Sequence, residues 1–490
     1  MNKLEKLQKN IDNKLLTIKH IGSRGEGVSS LTTEINYRES HYTFFIPFTL
    51  PDEIVVVKPT LSNSEGVRAN LVEIKSPSPK RIDPKCEHFF QCGGCLLQHW
   101  NFEDYISWKL EKISLPILKI SPTTMMKAIK TSSIKSRRHA KFKAKKYKSI
   151  TIIGFNEYRS KFITKIKECL IIESKLQRFI HDLEKPLHKL LGIGDEIDVH
   201  ANLLDNGIDL LISGIDKTDY HKLNIFVDAL SKSSVIRFHR KLKDNTNELL
   251  FTKDLSSLSN KSFSSITFPP PGGFLQATIE GENAILESVM LGLDNNKKTK
   301  LICELFCGSG TITLPLLKNN YQIHVFELDI DSLNAVNISS RKQGVGNKVT
   351  TKVRDLKNFP LTSSELAKYD VIIVDPPRSG AKIQFSNIAK SNVTTIISIS
   401  QACTDDFTKY YGETYTRFNR LFMLHPSELD ENRVKKERKE LEEELSASLE
   451  ALTASQMSVQ SLTNQVASDH RLILSSCSLS LHSRFFFYEF

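Results

Sequence analysis

Residues 301–317, LICELFCGSGTITLPLL, constrain the fold of this chain more than any other stretch. An apolar run ends at Glu304-Leu305-Phe306-Cys307, Gly308-Ser309-Gly310 turns the chain, and apolar residues then resume at helical spacing. That is strand, tight turn, helix. Glycines let the backbone approach a ligand closely, and the new helix aims unpaired N–H groups at whatever sits above the strand end. Alone, a Gly-x-Gly turn is equally at home in α/β proteins that bind no cofactor. Its surroundings decide. QIHVFELD, SLNAVNISSRKQ, VTTKVRDL, YDVIIVDPP and VTTIISIS follow it, alternating strand and helix patterns. The order predicts a parallel, doubly wound sheet with ligand sites at the carboxyl ends of its strands. Glu327, Asp355 and Asp375 stand at those ends. Such acids can simply cap helices, but Glu327 lies at the distance beyond the turn where a carboxylate holds ribose hydroxyls, which favours a nucleoside cofactor.

Upstream the rhythm differs. Residues 14–78 alternate short apolar runs with turn residues, the pattern of a small antiparallel barrel of about five strands, an architecture that often grips single-stranded nucleic acid. Residues 170–265 predict mixed helix and strand, with an amphipathic helix over 176–191 and strands over 196–202 and 207–215. The segment FPPPGGFLQA at 268–277 is a rigid linker and a domain boundary, followed by a helix over 277–293. We therefore expect a β-barrel over 1–80, a mixed α+β central domain over 81–267, the α/β domain over 268–430, and a divergent helical tail over 431–490.

Two clusters in the central part carry chemistry. Cys86, Cys92 and Cys95, in DPKCEHFFQCGGCLLQHW, form a three-thiol claw, and Cys169 is the nearest candidate for a fourth ligand. By spacing alone, zinc and an iron–sulfur cluster fit equally. Eight cysteines in 490 residues are too few for a secreted disulfide scaffold and suit a reducing compartment. The second cluster, KTSSIKSRRHAKFKAKKYK over 130–148, holds nine basic residues and no acid. A run with no balancing acid repels itself unless phosphates neutralise it, so it predicts RNA contact, in keeping with a net charge of +11. The polar opening MNKLEKLQKN and the interrupted apolar end lead us to expect a cytoplasmic protein with no membrane span.

At Asp375-Pro376-Pro377-Arg378 the pieces coincide. A Gly-rich first strand, an acid ending the second and an Asp-Pro-Pro turn ending the fourth resemble a class I S-adenosylmethionine-dependent methyltransferase. The Asp-Pro-Pro-Arg form, with Cys-x5-Cys-x2-Cys…Cys and Phe-Leu-Gln upstream, resembles the RNA uracil-5 methyltransferases, over roughly residues 10–400. The resemblance implies a Rossmann-like methyltransferase domain, a TRAM (OB-like) N-terminal barrel, and a [4Fe-4S] cluster on Cys86, Cys92, Cys95 and Cys169. It implies that Gln276, Phe306, Thr311, Glu327, Asp355 and Asp375 line the S-adenosylmethionine pocket, and that the partner is RNA, ribosomal before transfer RNA. It also implies a monomer, whose tail helix could self-associate.

In that family a cysteine thiolate adds to C6 of uracil, C5 then attacks the methyl group, and a base removes the C5 proton before the cysteine is eliminated. The cysteine follows the fifth strand. Here Gln401 stands at that place and Cys403 lies two residues on, which makes Cys403 the candidate nucleophile. His425-Pro426-Ser427-Glu428 is a loose echo of the family's terminal base. Beyond about residue 430 the resemblance ends in a charged stretch with Leu441, Leu445, Leu449 and Leu452 at helical spacing, as if the family's C-terminus had been lost or replaced. The alternative function is thus a catalytically impaired RNA-binding remnant of the same family.

Overall fold

The computed structural model describes residues 15–399, except 36–37, 121, 123, 128, 216–217, 254–258, 263–264, 295–300, 378–380 and 394, together with the short strand Leu472–Leu474. Gln401, Cys403, the 425–428 echo and the tail helix expected at 441–452 lie outside the described residues. Three sheets organise the rest.

The first, six-stranded, runs in the order Leu15–Thr17, Ile54–Ser62, Val67–Ser76, Arg38–Ile46, Gly27–Ile35 and His20–Ile21. Its pairings are antiparallel apart from a short parallel contact of Phe44 and Phe45 with Val67 and Arg68. Strand alternation sends Leu16, Phe44, Ile46, Val55, Val57 and Val67 into one small core. Beside it, Ile21 and Leu50 join Leu96, Leu97, Trp100 and Tyr105 in a second cluster, which ties this sheet to the cysteine loop and to the helix Phe102–Ile120.

The central sheet has seven strands in the order Ile163–Lys165, Thr151–Asn156, His139–Lys146, Glu196–Leu204, Gly207–Ser213, Val235–Lys241 and Asn247–Thr252. Phe142, Phe155, Val199, Leu210 and Phe238 pack on one side against Leu176, Phe179 and Phe226 from the helices. The helix expected over 176–191 is broken in two, Ser174–Asp182 and Glu184–Leu190. Pro186 is the reason: it has no N–H for the carbonyl four residues back, and its ring crowds that carbonyl. On the other side, Asn202, Asp209 and Arg237 lie in register across three strands. They hold the 268–277 linker: Arg237 donates to the Pro269 carbonyl (3.0 Å) and to Asp209 (2.6 Å), Asp209 accepts the Gly272 N–H (3.1 Å), and Asn202 donates to the Gly273 carbonyl (2.9 Å).

The basic run does not behave as its composition predicts. Lys135 meets Glu168 at 2.6 Å, Lys143 meets Glu196 and Asp198 at 3.2 and 3.1 Å, and Lys145 meets Glu196 at 3.1 Å. Lys130 pairs with Glu287 and Arg138 with the buried Glu282. Lys146 donates to the carbonyls of His188 and Leu191 at the end of a helix, where a cation suits the unpaired carbonyls and the dipole. The acids missing from the run come from distant segments, so much of its charge is balanced within the fold.

The third sheet is parallel and five-stranded, ordered Val349–Val353, Gln322–Glu327, Leu301–Leu305, Val371–Val374, Thr395–Ser398. Ile302, Val325, Val371, Ile373 and Ile397 pack on one face under the helices Ile279–Asp294, Thr313–Lys318 and Ile330–Lys342. Cys303, Leu305, Phe326, Ile372 and Val374 pack on the other, with Ile113 and Ile117 of the helix Phe102–Ile120. A sheet buried on both faces is why these strands read as continuous apolar runs rather than alternating ones.

Candidate cofactor site and thiol cluster

The site begins where the first strand of the parallel sheet ends. Phe306 (φ 63°), Gly308 (φ 52°) and Gly310 (φ 89°) all take left-handed backbone angles, so the chain leaves the sheet in a tight turn. The glycines do different work. A Cβ on Gly310 would stand 2.9 Å from Val336 of the neighbouring helix, whereas one on Gly308 would meet nothing within 4 Å. Gly310 therefore allows helix–turn packing, and Gly308 faces open space where a ligand can approach.

Glu327 closes the neighbouring strand and faces this turn. Its Oε2 accepts the Gly308 N–H at 3.1 Å, and its Oε1 accepts the N–H groups of Leu328 (2.7 Å) and Asp329 (3.1 Å). Three backbone donors orient one carboxylate and take three of its roughly four acceptor sites, which leaves one lone pair on Oε2. Exposed apolar side chains flank it: Leu328, Ile330 and, across the register from Glu327, Val353. Asp355 follows Val353, and Phe359, also exposed, follows that. Asp355 is engaged locally: Oδ1 accepts N–H bonds from Lys357 and Asn358 (both 3.1 Å) and Oδ2 accepts from the Asn358 amide at 2.7 Å, and these bonds hold its carboxyl below the usual range. Asp375 continues the fourth strand, its N–H on the Leu305 carbonyl at 3.3 Å.

Glu304, to which the sequence reading assigned no role, lies beneath the turn. It is buried and accepts the Thr313 hydroxyl at 2.7 Å. Burial first, then the nearby Asp375 and Glu327 charges, push its carboxyl from 4.5 up to about 8, against the opposing Thr313 bond. The available signal was a single charged residue inside an otherwise apolar strand. Because the folded state keeps this proton between pH 4.5 and about 8 while the unfolded chain releases it, stability falls as pH rises through that window. Glu304→Gln, which keeps an acceptor for Thr313, is expected to stabilise the cofactor-free protein at pH 8 by a few kcal/mol, since each tenfold change in proton affinity on folding is worth ~1.4 kcal/mol. It should have little effect at pH 4.5. Calorimetric melting across this range checks it, and parallel pH profiles for the two proteins would contradict it.

Phe306, Glu327 and Asp375 thus gather with Glu304 at the carboxyl edge of the sheet. Thr311 lies half-buried in the turn itself. Gln276 sits on the linker, and its carbonyl accepts from Arg138 Nε of the central domain at 2.9 Å.

The four expected metal-binding thiols form a separate group. Cys92 and Cys95 lie close enough to each other, to Cys86 and to Cys169 for their charges to interact, although Cys169 stands 74 positions beyond Cys95. Gly93 allows the loop to press on the central sheet, since a Cβ there would lie 2.9 Å from the Asn156 carbonyl. Burial raises all four thiols, Cys92 to about 11. Backbone N–H groups are directed at the sulfurs, from Gly94 to Cys92 (3.4 Å) and from Ile171 and Ile172 to Cys169. The Arg137 guanidinium lies close to Cys169 and Cys95. Among the described residues no three His, Cys, Asp or Glu side chains are grouped as ligands of a single metal ion.

A cavity of about 700 Å³ opens between the first sheet and the central domain, lined by Arg24, Arg68, Tyr158, Arg159 and Lys161 among others. Glu26 at its wall is buried and accepts from Tyr158 (3.0 Å) and Arg159. No helix among the described residues is long and apolar enough to cross a membrane.

A five-stranded parallel sheet in the order 3-2-1-4-5, with a glycine turn after its first strand and a carboxylate after its second, is the Rossmann-like arrangement that class I S-adenosylmethionine-dependent methyltransferases share with other nucleotide-binding proteins. No family model matches the chain. An uncharacterized RNA methyltransferase of Brucella melitensis is 30% identical over 386 residues, covering 79% of this chain and 87% of that protein. The 23S rRNA (uracil(1939)-C(5))-methyltransferase RlmD of Shewanella woodyi is 28% identical over 372 residues, covering 73% and 81%. The solved structure of the Pyrococcus abyssi tRNA (uracil-54, C5)-methyltransferase with S-adenosyl-L-homocysteine superposes with a TM-score of 0.60 at 14% identity, covering 82% of this chain and 92% of that one, a likeness of fold. The chain belongs to the RNA methyltransferase family.

Proposed function

We propose that this protein transfers a methyl group from S-adenosylmethionine to C5 of a uridine in RNA, with ribosomal RNA as the favoured substrate. The observation that carries the cofactor half is the Glu327 carboxylate, oriented by the Gly308 N–H over an open turn. In this role Glu327 accepts the ribose hydroxyls. Leu328, Ile330, Val353 and Phe359 offer apolar surface to the adenine, and a spare lone pair of Asp355 takes its amine. Phe306, Thr311 and Asp375 face the methionyl end, and Gln276 enters from the linker. Cys403 is the candidate nucleophile. The test is transfer of labelled methyl from S-adenosylmethionine to uridine in ribosomal RNA, with 5-fluorouridine RNA as a covalent trap. Cofactor binding without transfer or trapping would favour the impaired remnant that Gln401 suggests.

The four thiols support a [4Fe-4S] cluster better than zinc. A tetrahedral zinc site with bonds of ~2.3 Å needs sulfurs ~3.8 Å apart, while a cubane spreads its thiolates over four iron corners. Four thiols brought near one another, with backbone N–H groups at the Cys92 and Cys169 sulfurs, suit a cluster that four thiolates share. Cys86, Cys92, Cys95 and Cys169 would hold it, and the cluster would supply rigidity or electron storage. The three sheets support a division at about residues 80 and 267, with a TRAM-like module first.

RNA contact is better sought at the cavity beside the first sheet than along the 130–148 run. Among the described residues the Arg24 and Arg68 side chains pair only with the exposed Glu65, at 3.8 and 3.6 Å, contacts that contribute little. Arg24→Ala with Arg68→Ala is expected to weaken RNA binding and to lower the slope of log affinity against log salt by about 2. Filter binding between low and moderate salt measures it. An unchanged slope would move the interface elsewhere.

A further inference from the structure

Three consecutive residues, Arg137, Arg138 and His139, reach two places that lie far apart in sequence. Arg137 is strapped to the segment after Cys169: its N–H donates to the Ile171 carbonyl at 2.9 Å, it bridges to Ile172, and the Glu173 N–H returns to the Arg137 carbonyl at 2.8 Å. Those same Ile171 and Ile172 N–H groups point at the Cys169 sulfur. The Arg137 guanidinium lies near Cys169 and Cys95 and also donates to the His139 carbonyl (3.0 Å) and contacts the His139 ring (3.1 Å).

Arg138 points the other way, as successive residues of extended chain do. It is buried, and all but one of the donors it uses serve the linker or the helix after it. Its N–H donates to the Ala277 carbonyl (2.9 Å), Nε to the Gln276 carbonyl (2.9 Å), Nη1 to Asn260 (2.8 Å) and Nη2 to Glu282 of the helix Ile279–Asp294. A planar fork bound on several sides holds its partners in one geometry, which the point charge of a lysine cannot reproduce. His139, held by Arg137, places its ring 6.4 Å from that of Phe274 on the same linker. One short segment leading into the strand His139–Lys146 therefore touches the thiol group through Arg137 and both ends of Phe274-Leu275-Gln276 through His139 and Arg138.

We propose that this segment is a mechanical link between the thiol group and the cofactor side of the active site: Arg138 is a positioning residue for Gln276, and occupancy of the four-thiol site sets how firmly the linker is held. The inference rests on the proposed placement of Gln276 in the pocket and of iron on the thiols. It makes metal loading a condition for an ordered active site rather than only for a stable central domain.

Hydrogen exchange read by mass spectrometry on the full chain tests it, comparing protein purified without air, the same protein stripped of iron with ferricyanide and EDTA, and Arg138→Lys. Stripping is expected to speed exchange across residues 272–279 about tenfold while the strand Leu301–Leu305 stays protected. Arg138→Lys should do the same with its iron–thiolate absorption intact, and should lower kcat about tenfold with KM for S-adenosylmethionine within about twofold, as misplacement rather than lost binding predicts. A linker that stays protected after stripping, or an Arg138→Lys protein that exchanges and turns over like wild type, overturns the proposal. Should stripping unfold the whole protein, the Leu301–Leu305 amides would report it and the Arg138→Lys comparison, made on iron-loaded protein, decides. Absence of methyl transfer in every sample would refute the proposed function and leave the exchange comparison standing.

Discussion

Glu327→Ala is expected to weaken binding of S-adenosylhomocysteine by roughly 100-fold or more. In the proposed site one ribose hydroxyl takes the free lone pair of the carboxylate and the other shares an oxygen with the backbone donors, and hydrogen bonds to a charged group contribute ~1.5–3 kcal/mol each. The two are not independent, so a combined loss of ~3–4 kcal/mol is the reasonable scale. The substitution also removes the acceptor of the Gly308 N–H and of the Leu328 and Asp329 N–H groups, which loosens the turn the cofactor lies against. Glu327→Gln separates these effects, because it can still accept from Gly308 while losing the charge and half the acceptor capacity; an intermediate loss is expected. Isothermal titration calorimetry on the purified chain measures all three proteins. A change of less than about threefold for Glu327→Ala would remove Glu327 from the cofactor site and shift attention to the acids on the neighbouring strands.

Cys169→Ser is the second large effect. Cys86, Cys92 and Cys95 share one loop, and Cys169 alone brings the segment before the helix Ser174–Asp182 to the centre they form. Without its thiolate a cubane has three protein ligands and an exposed corner. Iron content and visible iron–thiolate absorption are expected to fall to a small fraction of wild type. Metal binding free energy is folding free energy, so thermal stability should drop by an amount on the order of several kcal/mol. Cys303→Ser is the control: that thiol lies in the sheet core and should leave iron content unchanged. Equal iron in Cys169→Ser and wild type would contradict the four-ligand assignment, and stoichiometric zinc in place of iron would restore the alternative metal.

How much of this was visible beforehand depends on whether a feature is local. The turn at Gly308–Gly310 and the acid at Glu327 were legible because a strand, a tight turn and a helix each leave their own short periodicity. The parallel sheet followed from five apolar runs separated by helices. The break at Leu183 was missed although Pro186 was in plain view, because the apolar spacing continues across it. The helix Phe102–Ile120 was also missed; its face reaches the methyltransferase sheet through Ile113 and Ile117, a contact that gives no signal until the sheet exists.

Taken alone, the sequence determined the class of fold and the glycine turn that follows its first strand, since both rest on residue type and spacing, while the four-thiol set was implied by family resemblance. The tertiary structure alone decided what the charges do. The acid-free run at 130–148 found its counter-ions in Glu168, Glu196, Asp198, Glu282 and Glu287, and Arg138 became a buried tie between two domains rather than a hand for RNA. Glu304 became a carboxyl that keeps its proton to about pH 8 because the sheet closes over it. The reason is physical: periodicity is written along the chain, whereas Coulomb interaction and desolvation depend on distances through space, which exist only once the chain has folded.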